Sequence, residues 1–158
     1  MTPDLITFLS APADVAERRA RIAAYLANEG YTLPPPPRAA DYSQAGEIHL
    51  VRGQEMTVAY SVVDQGGRRV YYYTEWEVDH IMLRRIRREE EWALEHLGLI
   101  PSILRHGRIV VFEIGHIIYE SQRRFHPTQD RQYRLRTVIQ QQRDGRWWLS
   151  SFHPRLSR

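Results

Sequence analysis

From Gly46 onward the apolar residues recur at every second position, and this period constrains the fold more than any other feature of the chain. EIHLVR, EMTVAYSVV and RRVYYYTE each read as a β-strand, and Asp64, Gln65, Gly66 and Gly67 supply the glycines that a tight hairpin turn demands. Met56, Val58, Tyr60 and Val62 are expected on one face, joined across the hairpin by Val70 and Tyr72 or their neighbours. The period then lengthens. Between Trp76 and Leu97, Val78, Met82, Ile86, Ala93 and Leu97 fall on one arc of a helix that Gly98 and Pro101 would end, with His80, Arg84, Arg87, Arg88, Glu91 and Glu95 opposite. On this helix Arg87 with Glu91 and Arg85 with Glu89 have the four-residue spacing of mutually satisfied charges, and Glu90 sits between Ile86 and Leu94.

Three more strands are expected, at 108–119, 131–142 and 146–152, the last two joined by a short turn through Arg143, Asp144 and Gly145. Residues 131–142 alternate cleanly, with Tyr133, Leu135, Thr137 and Ile139 on one face and Gln132, Arg134, Arg136 and Gln140 on the other. Residues 108–119 do not alternate. Phe112, Ile114 and Ile118 would lie on one face and Val111, Ile117 and Tyr119 on the other, so the segment reads as one strand buried on both sides, with Ile114 in the core. Such a strand needs cover on its second face, either from a strongly curled sheet or from another copy of the chain, and the expectation is a homodimer.

Ahead of the strands, Asp14 and Glu17 have capping-box spacing, Ile22 and Leu26 share a face and Gly30 follows, which predicts a helix over 14–29 anchored by Phe8, Leu9 and Tyr25. Pro34 to Pro37 form a stiff polyproline connector. The expected organisation is a single α+β domain over 1–158: an N-terminal helical segment at 1–33, a Pro-rich connector at 34–45, and a curved antiparallel sheet with a long amphipathic helix at 46–153.

The 158 residues contain no Cys, which excludes disulfides, thiolate metal sites and a cysteine nucleophile. The first residues lack a basic leader and no apolar run approaches a membrane span, so the reading is a soluble, cytoplasmic chain. All 22 basic residues are Arg, unevenly set against the acids: residues 1–104 carry 11 Arg against 15 Asp and Glu, residues 105–158 carry 11 against 4. A basic C-terminal third suits an acidic protein partner or a nucleic acid. Arg134 and Arg136 should project together from one sheet face, with Arg146 beyond the neighbouring turn and Trp148 as a stacking surface, and these four are the candidate partner-binding residues.

Signatures of catalysis are missing. His49, His80, His96, His106, His116, His126 and His153 are scattered without metal-ligand spacing, so no metal or cofactor is expected. No serine has a nucleophile-elbow context and no glycine-rich phosphate loop occurs. His116 shares a strand face with apolar residues while Glu113 lies on the opposite face, and only a bulge at Gly115 would bring the two together. If the chain is an enzyme, His116, Tyr60, Tyr72 and Asp79 are its candidate acid-base or orienting groups.

The order of helix, strands, long helix and a final meander, closing on Asp144, Gly145, Arg146 and Trp147, resembles the cystatin-like architecture, in particular the nuclear transport factor two-like superfamily, over about residues 54–153. The resemblance implies a curved sheet wrapped around helices as a cone. It also implies a choice of roles, since that superfamily includes dehydratases, isomerases, hydrolases and noncatalytic binding or assembly domains. The leading reading is a noncatalytic interaction or assembly domain with a basic C-terminal face. Its alternatives are a small-molecule enzyme with an apolar pocket in the cone, and nucleic-acid binding through the Arg-rich tail.

Overall fold

The alternating segments pair into one curved, open sheet of eight strands in the computed structural model, which describes residues 3–157. Its strands are β1 (Ile48–Val51), β2 (Gln54–Val63), β3 (Arg69–Tyr73), β4 (Arg108–Glu113), β5 (His116–Glu120), β6 (Phe125–Thr128), β7 (Arg131–Gln141) and β8 (Trp147–Ser157). They are ordered β1-β2-β3-β8-β7-β5-β4, with β6 also paired to β7. The sheet is mixed, not wholly antiparallel as expected: β3 and β8 run parallel, Val70 beside Trp147 and Tyr71 beside Trp148. A parallel neighbour needs a long crossover, and the helices and strands between Tyr73 and Trp147 provide it.

Two helices precede the sheet, α1 (Pro3–Leu9) and α2 (Val15–Asn28). The Asp14 side chain accepts the Glu17 N–H at 2.8 Å, the N-cap bond that the sequence spacing implied. Leu9, Ile22 and Leu26 are fully buried, while Phe8 is exposed and is no anchor.

The expected 76–97 helix is broken. A first stretch, α3, runs through Thr74–Trp76, a π-helical Glu77–Met82 and Leu83–Arg87. There Glu89 takes φ +58°, its N–H bonds Ile86 O at 3.0 Å and the Glu90 N–H bonds Arg85 O at 2.8 Å, a Schellman ending without glycine. Helix α4 (Glu91–Leu94), a 3₁₀ turn (Leu97–Leu99) and α5 (Ile100–His106) follow. The apolar stripe survives the break, since Val78, Met82, Ile86, Ala93 and Leu97 all enter the main core with Tyr60, Tyr72, Tyr119, Leu135, Ile139 and Phe152. Two of the charges also find partners that the spacing did not indicate. Arg85 reaches Glu90 at 3.0 Å, and Glu91 accepts from the Tyr25 hydroxyl at 3.2 Å.

A bulge at one end of the sheet and a turn at the other redirect the chain. The register of β2 on β3 shifts between Val58 and Tyr60, so the expected single face divides: Tyr60 and Val62 enter the main core, whereas Met56 and Val58 join Val51, Tyr71, Tyr73 and Trp148 in a second cluster. The sheet thus buries apolar residues on both faces at this end through its own curvature. At the other end, 108–119 is two strands of a hairpin. Gly115 sits at φ +74° in the turn and Ile114 is fully solvent-exposed at its tip, contrary to its expected core position. Apolar residues on both sides of one strand were the ground for expecting a homodimer through the sheet face, and the hairpin removes that ground.

Candidate anion-binding cleft

Arg134 and Arg136 alternate along β7 with the fully buried Leu135 and Thr137, so their side chains leave the sheet on the face away from the main core. Strand register places Glu120 of β5 beside Arg136, Arg108 of β4 beside Glu120, and Arg155 of β8 beside Arg134. With Arg124, which precedes β6, these residues line an open cleft of about 730 Å³. Glu120 stands at its centre, 4% exposed, with Arg108 at 2.6 Å, Arg136 at 2.9 Å and Arg134 at 3.8 Å. Burial by itself would raise the Glu120 pKa, but hydrogen bonds from Arg136 and Arg108 outweigh it and hold the carboxyl below the ordinary carboxylate range.

Arg134 is fixed further by its Nη1, which donates to Ser121 O at 2.8 Å and to Gln122 O at 2.6 Å. Among the described residues, neither Arg124 nor Arg155 has an acidic partner. The cleft therefore holds five guanidinium groups and one carboxylate, which three of them contact. On the same face His153 lies beside Arg136, its Nδ1 2.8 Å from Ser151 Oγ. Burial first, and then Arg85, Arg136 and Arg155, push its pKa down to about 4, so the ring is neutral at pH 7.

Of the four residues expected to bind a partner, the cleft gathers Arg134 and Arg136. Arg146 lies apart in the β7–β8 turn, bonded to Asp144 at 3.2 Å. Trp148 is 1% exposed within the second cluster and offers no stacking surface. Arg108, Arg124, Arg155 and Glu120 escaped the sequence reading because they reach the cleft from separate strands and a loop. The one legible signal was Glu120, an acid isolated within the basic third.

The four candidate acid-base groups do not converge. Tyr60 and Tyr72 do meet, stacked at 4.6 Å with 21° between their rings, and both line a cavity of about 340 Å³ beside the proline segment. The Tyr72 hydroxyl donates to Glu77, whose other oxygen accepts from Arg19 Nε at 3.0 Å. Burial and the Glu77 carboxylate push both phenols well above their ordinary pKa, which leaves them neutral hydrogen-bonding groups. Asp79 is paired elsewhere, with Arg18. His116 stands at the far β4–β5 hairpin, where the turn at Gly115 sets it across from Glu113, its Nδ1 3.9 Å from a Glu113 carboxylate oxygen. The two are therefore neighbours instead of occupying opposite faces. Glu90, its pKa raised by burial against the opposing pull of Arg85, is an ion-pair partner outside both cavities.

Among the described residues, no three His, Asp or Glu side chains are grouped to hold a metal ion, and no helix is long and apolar enough to cross a membrane. Comparison with family models, with curated proteins and with solved structures returns no match to the chain.

Proposed function

We propose that this chain is a noncatalytic binding domain whose arginine cleft takes an acidic segment of a partner protein. The observation that carries the reading is the excess of guanidinium groups around Glu120. The carboxylate orients Arg108, Arg134 and Arg136 in advance, while Arg124 and Arg155 keep their hydrogen-bonding capacity for bidentate contacts to incoming carboxylates. Stacking residues that favour single-stranded nucleic acid are absent from the cleft lining, which supports a protein partner over the nucleic-acid alternative. The enzyme alternative has less support, because His116, Asp79 and the Tyr60–Tyr72 pair lie in different places. The likeness to the nuclear transport factor two-like superfamily belongs to the same proposal, supported by the curved sheet packed on helices.

Self-association is part of the proposal too, seated on edge strand β4 instead of the sheet face. Ile109 and Phe112 are exposed there, and Ile114 in the turn just beyond it. Arg108 and Glu113 at the two ends of β4 would face each other's counterparts in a two-fold antiparallel pairing.

The test measures binding of a fluorescent oligo-glutamate peptide, and of a single-stranded oligonucleotide, against salt concentration. The peptide should bind more tightly at low salt, and replacing Arg124 and Arg155 together by Gln should weaken it by about tenfold and flatten its salt dependence. Unchanged affinity in the double variant, or preference for the oligonucleotide, would overturn the assignment.

A further inference from the structure

The cavity beside the proline segment is built differently from the arginine cleft, and the proposed function leaves it unused. Its volume of about 340 Å³ lies near the lower end of small-molecule sites, which start at roughly 300 Å³. An apolar cavity of about 150 Å³ already accepts a benzene-sized guest, so this one has room for a ring with a short polar substituent.

Its walls are flat and held in place. The Tyr60 and Tyr72 rings are stacked, and Tyr42 tilts against Tyr60 with 5.9 Å between ring centroids. The Tyr42 hydroxyl donates to Pro37 O at 2.9 Å and so ties the proline wall to the aromatic one. Neither stacked tyrosines nor a polyproline segment has much freedom to lose, so little ordering cost opposes a flat guest.

The polar groups specify the guest further. Tyr60 is 5% exposed, and among the described residues its hydroxyl makes no hydrogen bond, so it is free to pair with a ligand acceptor or donor in the cavity that Tyr60 lines. Arg19 Nε is occupied by Glu77, which fixes the plane of the guanidinium, while neither terminal nitrogen donates to an acceptor among the described residues. With 42% of its side chain exposed, Arg19 reaches solvent as well as the cavity. Glu77 already receives Tyr72 and Arg19, one on each oxygen, so it is poorly placed to attract a cation. The available charge-bearing donor is the free end of Arg19, whose planar pair of N–H groups matches a carboxylate.

We propose that this cavity binds a small aromatic carboxylate, with its ring against Tyr60 and the proline segment and its carboxylate on the terminal nitrogens of Arg19. Phenylacetate, 2-phenylethanol and phenethylamine share one ring and spacer and differ in the terminal group, so titrating each into the ¹⁵N-labelled full chain separates ring binding from charge recognition. Phenylacetate should shift the Tyr60, Tyr72 and Thr74 amides and bind about tenfold tighter than the alcohol, with the amine weakest. Arg19→Gln should abolish the preference of acid over alcohol while leaving the melting temperature within a few degrees. Tyr60→Phe should weaken all three by a few-fold without changing their order. Equal or tighter binding of the amine would overturn the proposal. So would a carboxylate preference that survives Arg19→Gln, shifts confined to residues of the arginine cleft, or no saturable shift with any of the three.

Discussion

Glu120 shows how one side chain sets the properties of its neighbours. It is surrounded by Arg108, Arg134 and Arg136, and its removal would leave three cationic groups crowded without their counter-charge. Glu120→Gln is expected to cost about 2 kcal/mol at pH 7, read by urea denaturation. Its folded pKa lies below the ordinary value, so the stabilisation is present above the ordinary carboxylate range and is lost as pH falls through the folded pKa; the gap between wild type and variant should therefore close in acid. A gap that persists unchanged at pH 3 would show that charge is not the cause. His153 follows the same linkage, although for this ring it is the neutral form that the fold favours. Its folded pKa of about 4 lies below the unfolded value of about 6.5, so the unfolded chain takes up the proton first as pH falls. Stability should drop by roughly 2–3 kcal/mol between pH 6.5 and 4, and His153→Gln should remove most of that slope in urea midpoints measured at both pH values.

Among the elements, the β4–β5 hairpin separates two isoleucines that the sequence treats alike. Ile114 projects from the turn into solvent and Ile117, three residues later, is fully buried in the main core. Ile114→Asp should change the melting temperature little, the usual result for an exposed site, whereas Ile117→Asp buries an unpaired carboxylate and should unfold the chain. Circular-dichroism melts of the two variants check this, and equal destabilisation would reverse the hairpin assignment. The end of α3 depends on a similarly local choice. Arg85, Ile86, Glu89 and Glu90 close it through backbone hydrogen bonds, and the chain then re-enters a helix with Ala93 and Leu97 still directed at the core.

Taken whole, the molecule is an open sheet whose two ends solve the problem of exposed edges differently. At one end curvature buries Trp148, Tyr71 and Tyr73 beneath the β1–β2 hairpin. At the other, β4 carries Ile109 and Phe112 on an edge with no further strand beside it among the described residues. Under the proposed edge pairing, sedimentation velocity at micromolar concentration should detect a dimer, and Ile109→Lys with Phe112→Asp should return it to monomer without loss of secondary structure. A wild-type monomer across that range would refute the pairing.

Local patterns were sufficient for most of the elements. The N-cap at Asp14, the glycine turns at 66–67 and 145 and the alternation of 131–142 depend on neighbours a few residues apart, and each of these appears where the sequence implied it. Even the apolar stripe of the broken helix was legible, because burial selects residue type whether or not the helix is continuous. What spacing could not convey was any feature set by pairing across the chain. The bulge before Tyr60 exchanges faces through one inserted residue, and the turn at Ile114–Gly115 lacks a second strong turn residue beside its glycine. Both candidate sites are of this kind. Arg108, Glu120, Arg134 and Arg155 come together by strand register, and Arg19, Tyr60, Tyr72 and Glu77 by docking α2 and α3 on the sheet. Contacts between residues so far apart in sequence are selected by packing the whole core, and the alternation within each strand carries no record of which strand will lie beside it.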